Sequence, residues 1–169
     1  MKVTDDFVLF WNGSFSNWAT TPFSCKGMRF NCGEQYMMYQ KAKLFGDSQI
    51  ARMVMESKSP KIQKQLGRQV ERFDADKWYK VCVNLMVEGL LCKFQQNPEC
   101  KNKLLATGNR EIVEASPYDT IWGIGLAEDN PDALIKGQWK GQNLLGVVLM
   151  KVRAILQKEE NQSGDSAIG

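Results

Sequence analysis

Histidine is absent from all 169 residues. That removes imidazole bases, Ser-His-Asp and Cys-His arrangements and HExxH zinc sites from the chemistry open to the chain. Cysteine is scarce, odd in number and never spaced as CxxC. Cys25, Cys32, Cys82, Cys92 and Cys100 therefore give neither a disulfide framework nor a zinc knuckle. Reduced thiols in a cytosolic compartment are expected, and a cysteine nucleophile would lack its usual histidine partner. No apolar run reaches the ~18 residues that a membrane span needs. Met1–Asp6 lacks the apolar core of a signal peptide, so the chain reads as a soluble cytoplasmic protein. There is no internal repeat, and neither sign of charge dominates. The net charge of +3 tolerates a phosphorylated or nucleic-acid ligand without demanding one. Carboxylates, lysine, tyrosine and backbone groups remain for any catalysis.

The length fits one domain with a substantial core. Its central stretch runs Gly33-Glu34-Gln35-Tyr36-Met37-Met38-Tyr39-Gln40-Lys41-Ala42-Lys43-Leu44-Phe45-Gly46-Asp47. Glu34, Met37, Met38, Lys41 and Phe45 recur at three- and four-residue steps, which predicts a short amphipathic helix with these residues on one inward face. At ~1.5 Å per residue, Glu34 and Lys41 stand roughly 10 Å apart along the axis and can converge on one ligand. The plainer alternative is an acid favoured at a helix start and a lysine that snorkels to solvent.

Around that stretch, Phe7–Trp11 reads as a strand closed by Asn12-Gly13, and Ser24–Cys32 as a hairpin centred on Lys26-Gly27. Asn17, between Phe15 and Trp18, can read a base edge or form an Asx turn. Asp47 caps a helix from Ser48 to about Glu56, and Ser59-Pro60 starts another that ends at Gly67-Arg68. Arg68 can hold a phosphate. The longest helix spans Lys77 to Gln96, with Trp78, Val81, Leu85, Gly89, Leu90, Leu91 and Phe94 on its buried side and Gly89 marking a close helix crossing. Glu99–Ala106 is a short helix and Glu111–Ala115 a strand. Asp119, three residues before Trp122, leads into Gly123-x-Gly125, where backbone N–H groups can approach a ligand. Residues 127–136 read as a polar excursion. Asn143 caps a last helix, Leu144 to Gln157, with Leu145, Val148, Leu149, Val152 and Leu156 as its core stripe. Residues 158–169 have the composition of a disordered tail.

Taken in order, these segments resemble one family. The motifs are Phe15-Ser16-Asn17 with Pro22-Phe23; Glu34, Tyr36, Lys41-Ala42, Phe45 and Asp47; Leu66-Gly67-Arg68; Trp78; Lys93-Phe94; and Leu104-Leu105-x-Thr107-Gly108. Val113-Glu114-Ala115-Ser116, Asp119-x-x-Trp122-Gly123-x-Gly125 and Trp139-x-Gly141-x-Asn143-Leu144-Leu145-Gly146 with Met150 and Arg153 complete the series. This set is similar to that of the NADAR (YbiA-like) N-glycosidases, which act on riboflavin-pathway intermediates or ADP-ribose conjugates. The resemblance covers about residues 7–156.

It implies a compact, predominantly helical α+β domain of the YbiA-like fold with a few short strands, over residues 1–157, with the tail at 158–169. It implies Glu34, Lys41 and Asp119 as catalytic residues, and Asn17, Arg68, Trp78, Trp122, Gly123 and Asn143 as substrate-binding ones. No cofactor, metal or membrane partner is expected. The substrate would be a phosphorylated riboside or an ADP-ribose conjugate, including ADP-ribosylated guanine in nucleic acid. Two routes fit: a Glu34–Asp119 carboxylate pair, or attack of Lys41 on C1 of an opened riboside, with Glu34 moving protons. The family favours the lysine route. A non-catalytic ADP-ribose or nucleotide module is the alternative, and a protein-interaction surface built on Trp78 and Trp122 is a third reading. The acidic stretch between Gly125 and Lys136 is where substrate choice is least fixed by the resemblance.

Overall fold

The structure, a computed structural model, describes residues 1–168. In chain order it contains β1 (Lys2–Val3), β2 (Phe7–Phe10), β3 (Phe23–Cys25), β4 (Met28–Phe30), α1 (Gly33–Leu44), α2 (Ser48–Glu56) and α3 (Pro60–Gly67). Then come α4 (Ala75–Gln96), α5 (Pro98–Ala106), β5 (Glu111–Glu114), two 3-10 turns (Pro131–Leu134 and Lys136–Gln138) and α6 (Leu144–Ile168). This is a predominantly helical α+β fold, as the sequence implies. Among the described residues no helix is long and apolar enough to cross a membrane. The chain forms two compact units, one from Met1–Ser16 with Pro98 onward, the other from Asn17–Asn97.

The second unit is built round α1. The first two turns of this helix, Gly33 to Met38, are buried on every side, because α2, α3, α4 and β4 all pack on it. The helix is therefore central rather than amphipathic. A polar network fixes its start. Gln35 Oε1 accepts from Asn31 N at 2.7 Å, and its Nε2 donates to the carbonyls of Val54, Met55 and Ser57 at the end of α2. Gln63, fully buried on α3, donates to Asn31 Oδ1 and to the Ser57 carbonyl and accepts from the Cys32 thiol. Each buried amide thus meets partners, which a low-dielectric interior demands.

Capping follows the sequence. Asp47 Oδ1 accepts from Ile50 N at 3.0 Å and Ser59 Oγ from Ile62 N. For α4 the cap is Asp74, whose Oδ1 accepts from Lys77 N at 3.2 Å. The buried stripe of α4 is Trp78, Cys82, Met86, Gly89, Leu90, Lys93 and Phe94. Val81, Leu85 and Leu91, expected inside, are only half-buried. The actual stripe follows the helical repeat through Cys82 and Met86, and a lysine at its end hides it from a reading by hydrophobicity. Gly89 does mark a close crossing: a Cβ there would collide with the ring of Tyr36 on α1, whose hydroxyl donates to the Leu85 carbonyl at 2.9 Å.

In the first unit, β2 pairs antiparallel with β1 and parallel with β5, with Leu9 opposite Val113. Leu9, Val113, Ala115, Ile124, Leu126 and Ala133 form its core. The polar excursion is therefore anchored, since Leu126 and Ala133 reach inward. α6 packs on β5 with its expected stripe, Leu145 to Leu156, buried. It continues past Gln157 to Ile168, where the sequence implied an irregular tail. Lys158-Glu159-Glu160 are good helix formers, and Glu160 pairs with Lys101 of α5 at 2.6 Å, which favours helix beyond the buried stripe. Gly169 lies outside the described residues.

Two stability measurements follow. Gly89→Ala gains about 1 kcal/mol of helix propensity but forces the Tyr36 ring aside, which costs about 1–3 kcal/mol. A net loss is expected in urea unfolding. Asp47 is the second case. Hydrogen bonds from Glu71 N and Ile50 N hold its carboxyl below the usual carboxylate range. The unfolded chain then takes up this proton first, so stability falls as pH drops through the carboxylate range. Asp47→Asn should flatten that acid limb in pH-dependent melting, leaving stability near neutrality lower.

Candidate active site

Asn17, Glu34, Lys41, Arg68 and Trp78 all belong to the second unit. Asn17 meets the first turn of α1. Its carbonyl accepts from Glu34 N at 2.9 Å, which supplies a partner that the helix-start residue Cys32 does not offer through its side chain. Gly33 makes this approach possible, because a Cβ there would strike Asn17 Oδ1. Asn17 is 6% exposed, and its Oδ1 has no hydrogen-bond partner among the described residues. Such an orphaned acceptor is costly and calls for an explanation.

Glu34, 4% exposed, lies in the first turn of α1, where the helix dipole favours a carboxylate. Lys41 follows two turns later and is half-buried. Burial pulls its amine below the ordinary lysine pKa. The Glu34 carboxylate opposes this by stabilising the ammonium, and the Arg68 guanidinium adds to the lowering. One helix thus presents an acid and a partly dehydrated amine that act on each other. Arg68, at the end of α3, brings a positive charge to the same place from the solvent side. Trp78 is 3% exposed, so it offers neither an open stacking face nor a partner surface.

Two further residues join this cluster that the sequence reading gave no role. Lys93, fully buried on α4, acts with Glu34 on the Cys32 thiol. Burial pushes the Cys32 thiol up, with the Glu34 carboxylate adding to the rise and the Lys93 ammonium opposing it. The helical repeat from Trp78 placed Lys93 inward, and only its charge argued otherwise. Phe73 is the other. Its ring lies 4.4 Å from Lys41 Nζ and packs edge-on against Phe45 at 5.4 Å. No periodic signal marks a single aromatic in a loop.

Asp119, Trp122, Gly123 and Asn143 belong to the first unit. Asp119 Oδ1 accepts from Ile121 N at 2.9 Å and Trp122 N at 2.8 Å, which folds its loop. The carbonyls of Thr120, Ile121, Trp122 and Gly123 then accept from the N–H groups of Gln142, Leu144, Leu145 and Asn143. These N–H groups at the start of α6 are consumed within the protein. Asn143 is 2% exposed and takes a left-handed backbone with φ of 54°. Its amide bridges to β5, accepting from Glu114 N at 3.0 Å and donating to the Ile112 carbonyl at 2.9 Å. Asn143 therefore anchors the loop. Trp122 is half-buried.

Among the described residues no group of three or more carboxylates and thiols is placed to hold a metal ion. What the second unit offers is an acid, a softened amine and an arginine around α1. That set is compatible with acid–base chemistry and with attack by an amine.

Known proteins resemble this chain. The NADAR domain model matches residues 9–157, which takes in both units. N-glycosidase R617 of Acanthamoeba polyphaga mimivirus is 43% identical over 173 aligned positions, covering 94% of this chain and 98% of that protein. N-glycosidase YbiA of Escherichia coli is 31% identical, covering 94% and 88%. The NMR structure of E. coli YbiA superposes with a TM-score of 0.76 at 29% identity, over 94% of this chain and 89% of that one. A protein of Vibrio vulnificus named as a riboflavin biosynthesis protein is 29% identical over 87% of this chain, which spans only 36% of that longer protein. The chain belongs to the NADAR family of N-glycosidase enzymes.

Proposed function

We propose that this enzyme hydrolyses the N-glycosidic bond between a base, or base-like amine, and the ribose of a phosphorylated riboside, with Lys41 as nucleophile and Glu34 moving protons. The observation that carries this reading is the Lys41 amine, half-buried beside a buried carboxylate and held below its ordinary pKa. An amine must be neutral to attack, and desolvation favours the neutral form.

The steps balance. Glu34 relays a proton from solvent to the ring oxygen, and the ribose opens with C1 bound to the base nitrogen as an iminium. Lys41 Nζ, as the neutral amine, adds to C1. A proton passes from Nζ to the base nitrogen, the bond from C1 to that nitrogen breaks, and the base leaves as a neutral amine. C1 remains joined to Nζ as a protonated Schiff base. Water adds to C1, one of its protons passes to Nζ and the other returns through Glu34 to solvent, the C1–Nζ bond breaks, and the sugar is released and recloses. Arg68 takes the phosphate, Asn17 reads the base and Trp78 walls the site. The two-carboxylate route is the lesser reading, because Asp119 Oδ1 already accepts two N–H bonds that hold its loop.

Two substrate classes fit. The name of the Vibrio relative supports a ribosylamine phosphate of the riboflavin pathway. The arginine beside the amine equally suits ADP-ribose on guanine, free or in nucleic acid. A non-catalytic ADP-ribose module has no need of a dehydrated lysine next to an acid. The free thiols are in keeping with a cytoplasmic enzyme.

Mass spectrometry after incubation with each candidate should find free base from one class. Calorimetric binding of ADP-ribose with no base released from any candidate would instead establish a binding module. Glu34→Gln should cut kcat by about 10²- to 10⁴-fold. Lys41→Arg keeps the charge but cannot give up its proton, so it should abolish turnover. With the wild type, kcat/KM should rise with pH as Lys41 deprotonates and level off below the ordinary lysine value of 10.5. A rise that continues through that value would contradict the role of burial.

A further inference from the structure

Phe73 is an apolar ring left 43% exposed, yet the chain around it is firmly built. It occupies the link between α3 and α4. The residue before it, Arg72, takes a left-handed backbone with φ of 60°, a conformation that costs a non-glycine residue energy and persists only when neighbours enforce it. The neighbours are visible. Asp47 Oδ2 accepts from Glu71 N at 2.9 Å. Arg72 donates from Nε to the Phe45 carbonyl at 3.3 Å and from Nη2 to the Gly46 carbonyl at 3.2 Å. These bonds tie the link to the end of α1. The ring is delivered onto Phe45 at 5.4 Å and under Lys41 Nζ at 4.4 Å. A hydrophobic side chain is thus fixed in the open, against its solvent preference, by a strained turn and three hydrogen bonds. The group it meets is the one amine that the proposed reaction needs.

We propose that Phe73 is a positioning residue for Lys41: its ring holds the ε-ammonium at a fixed place in the resting enzyme, so that the amine enters the reaction from a defined starting point. The inference rests on the reading of Lys41 as nucleophile for its importance, but the contact itself can be tested without substrate. A ring face attracts a cation through its quadrupole, whereas an aliphatic side chain of similar bulk does not. The charged groups acting on Lys41 are Glu34 on its own helix and Arg68 at the end of α3. Arg72 lies in the link, and Lys77 of α4 sits over Phe45 at 5.7 Å. All of them are unchanged by substitution at Phe73, so they cancel when variants are compared.

The experiment titrates Lys41 directly, by NMR of protein whose lysines carry ¹³C-dimethyl groups, with the Lys41 signal assigned by its loss in Lys41→Arg. Phe73→Leu keeps bulk and removes the quadrupole, so the ammonium loses support and the Lys41 pKa should fall by about half a pH unit. Phe73→Tyr keeps the ring face and should restore the wild-type value. If Leu leaves the pKa unchanged, or if Leu and Tyr move it alike, Phe73 only packs and the inference is overturned. The rising limb of kcat/KM should shift to lower pH in Phe73→Leu alone. A moved Lys41 titration with no turnover of any riboside would leave this inference standing and defeat the proposed function. Turnover through Lys41 with no movement would do the reverse.

Discussion

A lysine amine drawn partly out of water is the constraint from which the second unit can be understood. Dehydration disfavours the ammonium, and several local groups answer that cost in opposite senses. Glu34 lends it support along the same helix, while Arg68 withdraws some from the end of α3. The Phe73 ring supplies a further contact from the link to α4. The outcome is an amine pulled below its ordinary pKa and still solvent-accessible in part.

That balance requires α1 to be held rigidly, because small shifts in a low-dielectric setting change electrostatic energies steeply. The fold meets this with polar side chains. Gln35 closes the end of α2 onto the start of α1, Gln63 joins Asn31, Cys32 and Ser57, and Asn17 receives the Glu34 N–H. Tyr36 fills the space left by Gly89 and fixes α4 alongside. Asp47 serves twice, capping α2 and securing the link that carries Phe73. In the first unit the same economy appears in Asn143 and Asp119, whose polar atoms organise the loop before α6.

Much of this could be read from the chain alone, and the limits have physical causes. Caps at Asp47 and Ser59 were legible because they follow from local hydrogen-bond chemistry. The final helix was legible as far as its apolar stripe, but its extension past Gln157 depends on propensity and a surface ion pair with Lys101. The pairing of Glu34 with Lys41 was visible as spacing on one helix. Their inward face was visible too, but the enclosure of the first two turns on every side was not, since it comes from four separate elements packed on α1. Phe73 escaped notice, and Lys93 stood only as part of a motif with no role, because an exposed ring and a buried charge each run against the general preference for where such residues lie. The structural work of Asn143, suggested by sequence as a helix cap, arises from its left-handed backbone and its bridge to β5.

The central claim is that burial turns Lys41 into the nucleophile. Borohydride reduction during turnover, followed by peptide mass spectrometry, addresses it most directly. The account predicts a sugar-mass adduct on Lys41, absent without substrate and transferred to no other lysine when Lys41 is replaced. Base release at a normal rate with no reducible adduct on Lys41, or an adduct on Lys93 instead, would contradict it.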